Sequence, residues 1–191
     1  MLRAITAYLF RAAGWKIIGR SPQEVKKAIW AGAPHNTNWD FIVCLGGRAA
    51  LRMPIGFLAK SQLFKWYSGW IFRALGCYPV YRNQSSNLVD TVSDMFHQHE
   101  ALHIAITPEG TRKDVDKLKT GFYYIALKAN VPLILIGFNY PDKAVVISEP
   151  IHLQGDFQAD MRVIYDFYLQ IPGKQKTWLR NYAASGLIRK S

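Results

Sequence analysis

Cysteine is nearly absent from this 191-residue chain, and the two present, Cys44 and Cys77, stand far apart with no Cys-x-x-Cys spacing. That excludes a disulfide scaffold and a cysteine-held zinc site, and it suits a reducing compartment. Nowhere do about 18 apolar residues run on without interruption, so no transmembrane helix is expected. The first residues also lack the form of a signal peptide, because Arg11 breaks the apolar stretch and no small-residue cleavage site follows. Acid is scarce: 13 Asp and Glu face 24 Lys and Arg, for a formal net charge of +11. There is no G-x-S-x-G elbow and no cysteine beside a histidine, so a nucleophile activated within the chain is not foreseen. Internal repeats, low-complexity segments and clear linkers are missing too, which leaves one domain.

Half of the residues are hydrophobic and 14% are aromatic, enough for a large core. The charge is unevenly placed. Residues 1–27 hold six bases against the single acid Glu24, and residues 171–191 hold five bases and no acid. Residues 28–170 hold 13 bases and 12 acids, so the body is close to neutral. Both ends mix their bases with apolar and aromatic side chains: Leu2, Ile5, Tyr8, Leu9 and Trp15 first, then Trp178, Leu179 and Tyr182. That composition suits an anionic lipid surface. The alternative is a pair of solubilising tails docked on the body. Nucleic acid is not supported, since no base-reading motif is present. The chain divides into a membrane-associating segment (1–27), a domain (28–170) and a basic tail (171–191). The expected location is peripheral, at the cytoplasmic face of a membrane.

Leu2, Ile5, Leu9 and Ala12 recur at helical spacing, which predicts a short amphipathic helix at the N-terminus. A buried strand is expected at 27–34 and further strands at 55–60, 77–82, 102–107 and 131–138, with Pro79 placing 77–82 near an edge or an irregularity and 144–148 as the hairpin partner of the last. Helices are expected after the cap Asn38 or Asp40, over 63–75, over 87–100 behind Ser85 or Ser86, over 119–129 and over 158–170. Strands alternating with helices make an α/β fold with a central, mostly parallel sheet and helices on both faces.

His35 and Asp40 frame the segment HNTNWD. Five residues on a regular helix would rotate one about 140° away from the other. They can meet if His35 lies in a strand-to-helix loop and Asp40 in the first helical turn. A carboxylate there accepts Nδ1–H and fixes the tautomer while Nε2 takes a proton. The alternative is a surface histidine and a capping aspartate. The second segment, TPEGTR at 107–112, follows a predicted strand, where open α/β sheets place ligands. Arg112 has the fork to hold phosphate, and Glu109 can orient that arginine or a substrate hydroxyl. A polar turn with an exposed ion pair is the alternative. Arg82, after another short strand, is a candidate second phosphate contact, and Lys60 a weaker one.

HNTNWD, GCYPVYR, TPEGTR and the apolar strand opened by Val131-Pro132, in that order, resemble the motif blocks of the glycerophospholipid acyltransferase family, which includes the 1-acylglycerol-3-phosphate acyltransferases. The resemblance spans roughly residues 28–150, and Thr107 and Lys113 depart from the family pattern. It implies an O-acyltransferase in which His35 is the general base on an acceptor hydroxyl and Asp40 its orienting partner. It further implies that Glu109, Gly110, Thr111, Arg112 and Arg82 form the acceptor site, with backbone amides near Gly110 as candidate oxyanion donors. The donor is then acyl-coenzyme A or acyl carrier protein, and the acceptor a lysophospholipid or a glycerol-phosphate-type molecule. No cofactor and no metal are expected. A lipid-binding protein without turnover and a thioester or lipid hydrolase are the rival readings.

His97, His99, Glu100 and His103 look like a metal set, but the predicted helix ends among them. The aromatics Phe64, Trp66, Tyr67, Trp70 and Phe72 read as core, with an acyl-chain channel or a lipid-facing surface as the alternative.

Overall fold

The computed structural model of the chain describes residues 2–35, 37, 39–80, 88–173 and 175–186. The elements run α1 (Leu2–Ala12), β1 (Lys16–Ile18), β2 (Lys27–Ala33), α2 (Trp39–Leu51), β3 (Ile55–Lys60), a 3-10 turn (Ser61–Leu63), α3 (Gly69–Ala74) and β4 (Cys77–Val80). There follow α4 (Leu88–Gln98), β5 (Leu102–Ile106), α5 (Gly121–Ala129), β6 (Leu133–Asn139), β7 (Ala144–Ile147), α6 (Phe157–Leu169) and α7 (Thr177–Ser185).

The strands form one seven-stranded sheet in the order β1-β7-β6-β2-β5-β3-β4. The five strands from β6 to β4 are parallel, and β7 turns back antiparallel on β6 as the expected hairpin. β2 (KAIWAGA) lies at the centre with six of its seven residues buried, and every residue of β6 (LILIGFN) is buried. Unbroken apolar runs of this kind are what strands covered on both faces require. On one face α4, α5, α6 and α7 enclose Phe96, Phe122, Ile164, Tyr168 and Trp178. On the other, α1 and α2 close over Phe10, Trp30, Val43 and Ile134. Among the described residues no helix is long and apolar enough to cross a membrane.

Three segments depart from expectation. β1 carries no cue in the residue pattern and pairs with β7 at the sheet edge through the register Lys16 to Ala144. Three residues with one half-buried side chain carry no readable alternation. Residues 63–75 form no continuous helix: a 3-10 turn and the turn 66–68 precede a helix of six residues. Trp66, Tyr67 and Trp70 are 92%, 54% and 66% exposed, so these three are not core. The basic segment 171–191 supplies α7, whose Trp178, Leu179 and Tyr182 are buried in the main core.

The Gly46-Gly47 pair, unfavourable for a helix by propensity, has a packing role. A Cβ on Gly46 would sit 2.6 Å from the Phe10 ring, so glycine there lets α1 seat its one buried aromatic on α2.

Candidate active site

β2 pairs in parallel with β5 on one side and with β6 on the other, so the loops leaving all three emerge together at the carboxyl edge of the sheet. The β2 loop carries Pro34, His35 and Thr37, and α2 begins at Trp39. The β5 loop carries TPEGTR, and Tyr140 follows directly on β6.

His35 Nδ1 lies 2.8 Å from Asp40 Oδ2, with the histidine side chain 20% exposed and the aspartate 2%. The approach is off the ring N–H axis, so the contact is short without being an aligned hydrogen bond. Catalytic hydrogen bonds commonly sit this way before substrate binds and tighten afterwards. The loop and the first turn of α2 thus do what a regular helix could not. Asp40 is itself held: Thr37 N donates to Oδ2 at 2.9 Å, and the Tyr140 hydroxyl donates to Oδ1. Burial, then the hydrogen bond to Asp40, pushes the Tyr140 phenol up to about 12, so it stays a donor across the neutral range. One turn along α2, burial and then Asp40 push the Cys44 thiol up to about 12 as well, which keeps it from acting as a thiolate nucleophile.

Glu109 is fully buried beneath this pair. Its Oε1 accepts from the His35 backbone N–H at 3.1 Å and from Trp178 Nε1 at 3.2 Å. Its Oε2 lies 3.6 Å from Lys176 Nζ, which is 5% exposed and donates to the Arg112 carbonyl at 3.0 Å. Burial raises the Glu109 pKa, opposed by the His35 amide, Lys176 and Trp178. The glutamate of TPEGTR therefore ties the His35 loop to α7, rather than pairing with Arg112. Lys176 and Trp178 carried no signal in the sequence beyond their place in a basic, aromatic segment. Tyr140 could have been found as the polar aromatic closing the most apolar strand at the ligand edge.

Gly110 takes φ +65, a conformation that favours glycine, and its N–H donates to the Thr107 carbonyl at 3.0 Å. That amide is engaged in the turn and is not aimed outward as an oxyanion donor. Thr111 Oγ1 accepts from Lys113 N at 3.2 Å, and the Arg112 side chain is exposed. Arg82 lies outside the described residues. Lys60 is exposed at the end of β3. Of the histidine cluster, His103 is buried in β5, where it accepts from Trp30 Nε1, while His99 Nδ1 sits 2.8 Å from the Met95 carbonyl. An apolar cavity of about 290 Å³ opens beside Thr37 and Tyr140, walled by Pro34, Tyr168, Ile171 and Leu179.

A mostly parallel α/β sheet thus carries a histidine–aspartate pair at its carboxyl edge. The Acyltransferase family model matches residues 17–139, and the chain belongs to that family. The expectation of an acyltransferase, drawn from the resemblance of the motif blocks, is borne out. The structure is similar to the crystal structure of the 1-acyl-sn-glycerophosphate (LPA) acyltransferase PlsC from Thermotoga maritima. The TM-score is 0.61 at 16% identity, over 91% of this chain and 80% of that one. No curated protein matches the chain.

Proposed function

We propose that this protein transfers a fatty acyl group from a thioester donor, acyl-coenzyme A or acyl carrier protein, to a hydroxyl of a lysophospholipid or glycerol-phosphate-type acceptor. The observation that carries the reading is the 2.8 Å contact between His35 Nδ1 and Asp40 Oδ2 at the carboxyl edge of the sheet. His35 Nε2 takes the acceptor hydroxyl proton, and Asp40 stabilises the imidazolium. The acceptor oxygen attacks the thioester carbonyl. The carbon–sulfur bond then breaks, and the departing sulfur takes the proton back from His35. Arg112, exposed beside the site, suits the acceptor's phosphate. The apolar cavity next to Tyr140 suits a fatty chain.

The substrates are amphiphiles, which favours work at the cytoplasmic face of a membrane. α1 supports that setting: Phe10 is buried in the core, while Ile5, Tyr8 and Leu9 are 48%, 70% and 59% exposed among Arg3 and Arg11. The test is transfer from labelled acyl-coenzyme A to a panel of lysolipids, with and without acceptor. His35→Ala should lower turnover by about 10²–10⁴-fold and leave the melting temperature and vesicle binding in place. Near wild-type transfer by this variant would end the mechanism, and acyl release independent of any acceptor would make the protein a hydrolase.

A further inference from the structure

The near neutrality of residues 28–170 conceals a separation of charge. Between Asp40 and Asp90 there is no acidic residue, while Arg48, Arg52, Lys60, Lys65, Arg73 and Arg82 fall within that stretch. Residues 90–170 hold 11 acids and seven bases. The acid-free stretch covers most of α2, β3, the 3-10 turn, α3 and β4.

The same stretch carries seven of the fifteen exposed large hydrophobic residues among those described. Counting α1 and the first turn of α2 with residues 61–71, eleven of the fifteen fall together, so among the described residues the apolar surface is gathered rather than scattered. Leu63, Trp66, Tyr67, Trp70 and Ile71 form its densest part, with Trp66 92% exposed. These side chains leave the carboxyl end of β3, the edge at which His35 stands. Arg48 Nη1 donates to the carbonyls of Ile55 and Leu75, which fastens α2 to the end of α3 and keeps the segment in place. Lys65 stands over the Tyr67 ring at 5.7 Å and Arg73 over the Phe64 ring at 5.8 Å. Cations and indoles therefore share one surface, without a carboxylate from anywhere nearby in the chain.

We infer that residues 61–71 are a second membrane-docking surface, which inserts Trp66 and Trp70 at the headgroup level of an anionic bilayer and brings the His35 edge down to the lipid. The inference rests on the reading of the protein as a lipid acyltransferase, and it adds a contact separate from α1. Tryptophan and tyrosine prefer the boundary between headgroup and acyl chain, where an amphipathic ring meets both media. Lysine and arginine beside them are drawn to anionic lipid. A second copy of the chain fits poorly, because a two-fold contact would set Lys60, Lys65 and Arg73 against themselves. An acidic protein would answer the charge but not a nearly bare, protruding indole, which has no pocket wall of its own to complete.

Co-sedimentation with vesicles of phosphatidylcholine, with and without phosphatidylglycerol, tests this on three proteins: wild type, Trp66→Ser/Trp70→Ser and Ile5→Ser/Leu9→Ser. The tryptophan pair should lose about tenfold or more in partition to anionic vesicles while α1 is intact. Its melting temperature and its activity on a monomeric short-chain acceptor should not change. Brominated lipid should quench wild-type emission more than that of Trp66→Phe/Trp70→Phe. Wild-type vesicle binding by the tryptophan pair, with loss only in the α1 variant, overturns the inference and leaves α1 as the anchor. It is equally overturned if the pair binds vesicles normally but loses activity with acyl carrier protein as donor, or changes the oligomeric state in solution. Failure of acyl transfer itself would not alter the vesicle result, so the two readings stand or fall separately.

Discussion

Replacing Glu109 by alanine removes one carboxylate on which three groups from distant parts of the chain converge. The His35 backbone N–H and Trp178 Nε1 lose their acceptor at 3.1 and 3.2 Å, and Lys176 loses its partner at 3.6 Å. A buried donor left unsatisfied costs about 1–3 kcal/mol, and breaking a buried ion pair costs about 3–5 kcal/mol. These losses overlap, because they share one side chain, and Lys176 keeps the Arg112 carbonyl at 3.0 Å. The net loss should therefore fall near the lower end, about 3 kcal/mol. At about 2–4 °C per kcal/mol for a domain of this size, the melting temperature should drop by about 6–12 °C. Glu109→Gln keeps an oxygen for both N–H groups and should lose far less. Burial raises the Glu109 pKa, so the folded protein holds this proton at pH values where the unfolded chain has released it. Stability from this group is complete below the unfolded value of about 4.3 and is lost as pH rises through the folded pKa. Glu109→Gln should abolish that part of the pH dependence. Thermal melts followed by circular dichroism at several pH values, with acyl-transfer kinetics in parallel, measure both effects. If Glu109→Ala melts with the wild type and raises only the KM for acceptor, the carboxylate faces substrate and the bracing role is wrong.

Tyr140→Phe keeps the ring that packs edge-on against Trp15 at 5.3 Å and removes the hydroxyl, which donates to Asp40 and stands 3.5 Å from Thr37 Oγ1. It should lower kcat about tenfold with little change in KM. It should also add nothing to Asp40→Asn in a double-mutant cycle; full additivity would separate it from the dyad. Arg112→Ala should raise the KM for a phosphate-bearing acceptor while leaving hydrolysis of the acyl donor alone, and Arg112→Lys should restore only part, because a fork becomes a point charge. Equal loss of both activities would assign Arg112 to the structure of its loop.

The alternation of buried strands with amphipathic helices was legible in residues 27–138, because a parallel sheet covered on both faces demands apolar runs such as KAIWAGA and VPLILIGF. So was the candidacy of His35 and Asp40, since their residue types and spacing suit a loop entering a helix. Three things were decided only by the fold. The Glu109 carboxylate turned inward, because the parallel pairing of β2 with β5 sets the TPEGTR loop beside the His35 amide, and α7 brings Lys176 and Trp178 to the same oxygens. Tyr140 reached Asp40 across a hundred residues of chain, which no local pattern encodes. Trp66 and Trp70 went to the surface although their composition reads as core: the continuous helix over 63–75 does not form, Trp66 lies in a turn, and α3 runs for only six residues from Gly69. Apolar periodicity acts over neighbouring residues and is written in the chain, whereas the partners of a single polar atom are set by which distant loops the sheet order brings together.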